Sequence, residues 1–167
     1  MPIPGNVPSV DDIRQLPAHL SMAVPPEWED RNGHVNVQYY QTLYELGGWQ
    51  ILEGIEINER YLAARHAGIF DLEHHTHYLT EIHVGETVSV HNRMLGRNDK
   101  LFHGIFFIVN DTNQQLACTI EYLSIYVNLQ VRHTELFPKD MALRLDKLLH
   151  DHNALNWQAP VCGLMNP

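Results

Sequence analysis

The chain has 167 residues, enough for one domain that supports its own core. Hydrophobic residues make up 44% and charged residues 19%, which excludes a disordered chain, and a net charge of −9 argues against broad binding to nucleic acid or anionic membranes. Cys118 and Cys162 are too few for a disulfide framework and read as free structural thiols in a reducing compartment, which leaves twelve histidines as the one unusual count.

Residues 1–18 hold Pro2, Pro4, Pro8 and Pro17 and read as an N-terminal arm with a helical turn at 11–15. The start has no basic segment followed by an apolar run, and the longest apolar stretches are strand-sized, so a cytoplasmic protein is expected. The main domain is expected over 19–152, with an irregular tail at 153–167. Met22–Val24 is a short strand closed by Pro25-Pro26, and a polar loop follows. A long helix is predicted over about 37–53, capped by Asn36 and apolar on more than one face, as in a helix enclosed by protein. Gly47-Gly48 lets another part of the chain come close to it. A second short helix is expected at 58–66. The period then changes to two, and 69–78, 87–95, 101–109 and 115–127 read as strands, with a hairpin turn at 110–113. An amphipathic helix over 138–150 ends the pattern. The order predicts an α+β fold in which an antiparallel sheet wraps around the long helix.

The most informative stretch is Asp30-Arg31-Asn32-Gly33-His34-Val35-Asn36. It sets a carboxylate in a glycine-bearing loop directly before free helix N–H groups, the pairing that acyl transfer needs. Read without further context, the same residues also make an ordinary turn and cap before a helix.

Asp30-x-x-Gly33-His34-Val35-Asn36, followed by Tyr39-Tyr40, resembles the acyl-CoA thioesterases of the hotdog fold, the 4-hydroxybenzoyl-CoA thioesterase type. Gly85-Glu86-Thr87-Val88 looks like that family's turn before its third strand. The resemblance spans about residues 22–149. It is closer to the branch associated with carnitine breakdown and betainyl-CoA, at Pro26-Glu27-Trp28, Asp30, Asn32-Gly33-His34, Tyr61-Leu62-Ala63, Glu73, His75, Asp99-Lys100, His103 and Glu121. That branch often has Met-Thr-Glu after His34, where this chain has Val35-Asn36-Val37. The resemblance implies that Asp30 is the catalytic carboxylate, as nucleophile or as the base that activates water. It implies that the Val37 N–H is an oxyanion donor, and that Gly33, His34 and Asn36 let the thioester approach. It further implies a coenzyme A thioester substrate, no cofactor and no metal, and a homodimer or dimer of dimers with sites at the subunit boundary.

Strand alternation places Ile69, Asp71, Glu73, His75 and His77 on one face. Glu73 and His75 are expected to support catalysis by binding the acyl group or orienting water, although an exposed polar face has the same pattern. Trp28 adjoins the active loop and is a candidate to hold a quaternary ammonium acyl group by cation–π attraction. Arg93, Arg97, Lys100 and Arg132 are available for coenzyme A phosphates. Two rivals stand beside the thioesterase: a non-catalytic acyl-CoA-binding hotdog protein, and a cupin-like metalloprotein built on His75-x-His77-x-x-x-Glu81, whose second motif is missing and whose fold has no place for the long helix.

Overall fold

In a computed structural model describing residues 7–167, the alternating segments form one antiparallel sheet. Its strands are β1 (Ala18–Ala23), β2 (Ala67–Tyr78), β3 (Thr87–Arg97), β4 (Leu101–Asn110) and β5 (Gln115–Asn128), in the order β1-β3-β4-β5-β2, and a short β6 (His133–Thr134) pairs with β5. The helices are α1 (Val10–Ile13), α2 (Gln38–Gly54), α3 (Glu59–Ala64) and α4 (Lys139–Asn153). The sheet wraps around α2, which is the hotdog arrangement.

Helix α2 buries Tyr40, Leu43, Tyr44, Gly47 and Ile51 against the concave face of the sheet. Gly47 is required there: a Cβ at this position would lie 2.7 Å from Val90 Cγ1 on β3. At its start the Asn36 side chain accepts the Gln38 N–H at 3.1 Å, while Val37 already has helical backbone angles and is the cap residue. The capping side chain therefore stands one residue before the cap position. β1 begins at Ala18, earlier than its apolar pattern indicates, because its backbone pairs with β3. The 3-10 turn at Pro26–Trp28 and strand β6 carry no clear sequence signal.

The convex face has its own core. Ile13 and Leu16 from the arm pack on Ile105, Phe107 and Val109, and Leu155, Trp157 and Ala159 from the tail join them. The arm and tail are thus both applied to the outside of the sheet. Of the arm, Pro2 and Pro4 lie outside the described residues. No described helix is long and apolar enough to cross a membrane.

One irregularity decides where the β2 side chains point. Asp71 pairs with Ser124 and Glu73 with Leu123, so a bulge absorbs one residue at Leu72. A bulge reverses the alternation beyond it. Asp71 faces α2, and after the bulge so does His74, whose ring meets Tyr44 edge-on at 4.5 Å. Glu73, His75 and His77 face outward instead. The single face expected for Asp71, Glu73, His75 and His77 is split between the two sides of the sheet.

Candidate active site

The loop before α2 is a tight hairpin. The Asp30 N–H donates to the His34 carbonyl at 2.9 Å, the Gly33 N–H donates to the Asp30 carbonyl at 3.2 Å, and Gly33 takes φ 81, which only glycine adopts freely. The hairpin is tied to its surroundings by Val35 N–H on the Ile82 carbonyl (2.8 Å), Asn36 N–H on the Trp28 carbonyl (2.8 Å) and His83 Nδ1–H on the Gly33 carbonyl (2.9 Å). These bonds fix Asp30 beside the first turn of α2.

Asp30 Oδ1 accepts the Asn32 N–H at 2.7 Å, Oδ2 accepts the Asn32 side-chain amide at 3.2 Å, and His34 Nδ1 stands 3.9 Å from Oδ1. The Asn32 backbone bond is the main reason the carboxyl is held below its ordinary value; desolvation opposes it, and His34 and the Asn32 side chain add to it. Asp30 is therefore ionised at neutral pH. It lines a cleft of about 390 Å³ together with His34, Asn36, Val37 and Tyr40, and the opposite wall is Tyr78, Leu79, Thr80 and Glu81. The Val37 N–H has no acceptor among the described residues, so this cleft holds a charged carboxylate and a free helix N-terminal donor together.

Other predicted residues are placed differently. Trp28 is 7% exposed and its ring lies flat on Tyr39, centroids 4.7 Å apart, so it does not present a free face to a ligand. Glu73 and His75 are on the outside of the sheet and are not brought to Asp30 of their own protomer. Glu81 stands 3.8 Å from His83 and joins no cluster with His75 and His77 among the described residues; with α2 filling the sheet, the cupin reading is overturned. Arg93 is buried over the Trp157 ring and Arg97 makes a two-pronged pair with Asp146 (2.7 and 2.6 Å), which leaves Lys100 and Arg132 as the uncommitted cations of the four.

A second pocket of about 350 Å³ opens one helical turn further along α2. Tyr44, Trp49, Phe102, Phe106 and Tyr122 supply its aromatic walls, and Asp71 and Ser124 its polar end. The Ser124 hydroxyl donates to Asp71 Oδ1 at 2.6 Å. His74 Nε2 stands 3.3 Å from Oδ2 without hydrogen-bond geometry. Burial pushes the Asp71 carboxyl up, but the His74, Ser124 and Tyr44 contacts outweigh it and hold it below the ordinary value. Asp71 reaches this pocket by plain alternation with Ile69, which also lines it; the pocket escapes sequence reasoning because its aromatic walls come from α2, β4 and β5 and meet only in the folded sheet. The partial signal was Tyr122 and Ser124, two apart on β5 and therefore on one face.

Residues 24–145 match the thioesterase-like superfamily. The chain is 26% identical over 132 residues to a betainyl-CoA thioesterase of Pseudomonas aeruginosa, covering 79% of this chain and 83% of that protein. It is 31% identical over 134 residues to an L-carnitine dehydrogenase/betainyl-CoA thioesterase of Ruegeria pomeroyi, where it covers 77% of this chain but only 26% of the relative's length. A hypothetical protein of Staphylococcus aureus solved in complex with CoA has the same fold, with a TM-score of 0.81, 17% identity and coverage of 97% and 99% of the two chains.

Proposed function

The chain belongs to the thioesterase-like superfamily, and from that premise we propose that it hydrolyses acyl-CoA thioesters in the Asp30 cleft. The observation that carries this reading is the convergence of an ionised Asp30 and the unpaired Val37 N–H on one cleft. Asp30 supplies the carboxylate that attacks the thioester carbon or takes a proton from water. The Val37 N–H receives the negative charge that develops on the carbonyl oxygen. Water adds across the bond, the acyl group leaves as a carboxylic acid, and coenzyme A leaves as its thiol. Asn32 holds the carboxylate in place, and Gly33 keeps the hairpin low enough for a thioester to reach it. Glu73 and His75 are not brought to Asp30 within the protomer and are given no role here.

The acyl group is a small cationic one of the betainyl type. The names of the relatives support this, and so does the second pocket, where an anionic Asp71 closes a box of aromatic rings. Quaternary ammonium groups bind such rings with about 0.5–2 kcal/mol each. That pocket replaces Trp28 and Glu73 as the recognition surface.

The functional unit is a homodimer paired through β2. This strand is the longer of the two edge strands β1 and β2, twelve residues against six, and it exposes Phe70, Leu72 and Tyr78. A long unpaired edge with apolar side chains invites a second strand. A two-fold axis pairing two β2 edges antiparallel brings the Tyr78 end of one strand to the Ile69–Asp71 end of the other. The Asp30 cleft of one protomer then adjoins the aromatic pocket of its partner.

Thiol release from betainyl-CoA, its neutral isostere 3,3-dimethylbutyryl-CoA, and short-chain and aromatic acyl-CoAs tests the reading. Betainyl-CoA is expected to exceed the isostere about 10-fold in kcat/KM, equivalent to about 1.4 kcal/mol. Asp30→Asn is expected to lower kcat at least about 100-fold with the melting temperature retained. No hydrolysis of any thioester in the panel would leave the acyl-CoA-binding alternative. Light scattering at micromolar concentration is expected to give twice the chain mass; a monomer would remove the shared site.

A further inference from the structure

On the outer face of the sheet, away from the Asp30 cleft, three side chains of different chemistry converge. The imidazole of His75 on β2, the carboxylate of Glu121 on β5 and the thiol of Cys162 in the tail each offer a ligand atom, and these atoms all lie within 4.8 Å of one another. His75 and Glu121 are register partners across the β2–β5 ladder, so their convergence is built into the sheet. Cys162 comes from more than forty positions further along the chain and is set on Glu121 by a backbone bond, its N–H donating to Oε2 at 2.7 Å. Glu121 is 2% exposed, and its other oxygen accepts from His103 Nε2 at 2.8 Å. The carboxylate is thus buried and held in orientation by a neighbouring imidazole, as ligating groups in metal sites are held by a second layer of hydrogen bonds.

We propose that His75, Glu121 and Cys162 form a zinc site that clamps the C-terminal tail to the outside of the sheet, with His103 as the residue that positions Glu121. The ligand set selects the ion. A thiolate is a poor ligand for magnesium or calcium, which take oxygen. Nitrogen, oxygen and sulfur together suit zinc, whose bonds of about 2.0–2.3 Å put tetrahedral ligand atoms about 3.3–3.8 Å apart. Donor atoms already within 4.8 Å reach that spacing by small side-chain rotations, without moving the strands. The fourth position is left to water. Binding requires the Cys162 thiolate, so the thiol proton passes to solvent as the zinc–sulfur bond forms. The site uses no residue of the Asp30 cleft, and it stands or falls independently of the thioesterase reading.

The test uses reduced full-length protein stripped with a chelator. Cobalt(II) chloride serves as the spectroscopic probe, followed by competition with zinc chloride. One cobalt per chain is expected, with a sulfur-to-cobalt charge-transfer band in the near ultraviolet that zinc abolishes stoichiometrically. Zinc is also expected to raise the melting temperature. Glu121 is buried and Glu121→Gln risks unfolding the sheet, so Cys162→Ser and His75→Gln carry the decision. Cys162→Ser is expected to lose the band outright, and each variant to weaken zinc binding at least 10-fold and abolish the melting shift. Absence of the band in wild type, or zinc affinity unchanged in both variants, overturns the site and assigns any binding to scattered surface histidines.

Discussion

On its concave side the sheet packs against regular helices, the 17-residue α2 with Met141 and Leu145 of α4 in the same core; on its convex face it is covered by the four-residue α1, the chain that follows it, and the irregular tail. The two covers demand different sheet surfaces. Helix α2 satisfies its own backbone internally, so the strands beneath it supply mainly apolar and aromatic side chains such as Val90, Phe106, Ile108 and Ile120. Residues outside regular structure have carbonyl and N–H groups that need partners, and the outer face provides them. His91 Nδ1–H donates to the Leu16 carbonyl at 3.0 Å, Arg93 Nη1 donates to the Trp157 carbonyl at 2.5 Å, and Glu121 accepts from the Cys162 N–H at 2.7 Å. The Leu16 bond also settles the His91 tautomer: with hydrogen on Nδ1, Nε2 accepts from the Ser89 hydroxyl at 3.1 Å. Buried polar residues on β3 and β5 are therefore the counterpart of an irregular cover rather than signs of a second catalytic centre.

Variants can separate the two faces. Asp30→Asn removes activity without loosening either core, and its counterpart on the outside is Trp157→Ala. That change removes the ring stacked under Arg93 (4.3 Å) and edge-on to Phe107 (5.6 Å) and leaves the buried guanidinium short of partners. It is expected to cost about 2–4 kcal/mol, seen as a fall of roughly 5–15 °C in melting temperature, with kcat within about twofold of wild type. A large loss of kcat at permissive temperature would show instead that the tail helps shape the site.

Smaller is a pH effect at the end of α4, where it meets β3. His152 is buried, and its Nδ1 accepts the Met94 N–H at 2.8 Å. Burial, reinforced by Arg93, lowers its pKa to about 4, and burial with His91 and His152 nearby lowers His19 to about 4. In the unfolded chain both take up a proton near pH 6.5. Stability from keeping them neutral is complete above about pH 6.5 and is lost as the pH falls toward 4. Unfolding free energy from denaturant melts is expected to drop between pH 7 and 5. His152→Asn keeps an acceptor for the Met94 amide and removes one titrating group, so this slope becomes shallower by about 1–2 kcal/mol over the interval. An unchanged slope would assign the acid sensitivity elsewhere.

Much of this was legible in the chain itself. The long helix, the hairpin turn at 110–113 and the four main strands follow from local hydrophobic period and turn chemistry, which act over a few residues. The carboxylate and the helix N-terminus of the Asp30 loop lie within eight residues, so their meeting in one cleft needed only the loop to form. Glu73 and His75 were placed with Asp71 by strict alternation, which holds only in an unbroken strand. A bulge depends on how β2 registers against β5, some fifty residues away, and leaves no local mark in the composition.

The sequence by itself determined the long helix, the four main strands, the apolar positions of α2 and the Asp-x-x-Gly-His loop, because each is encoded in neighbouring residues. Only the tertiary structure decided which face of the sheet each β2 side chain occupies. It also buried Trp28 under Tyr39, assembled the aromatic pocket around Asp71, and brought Cys162 to His75 and Glu121. Those outcomes depend on strand register and on where distant segments dock, and both are set by contacts between residues far apart in the chain.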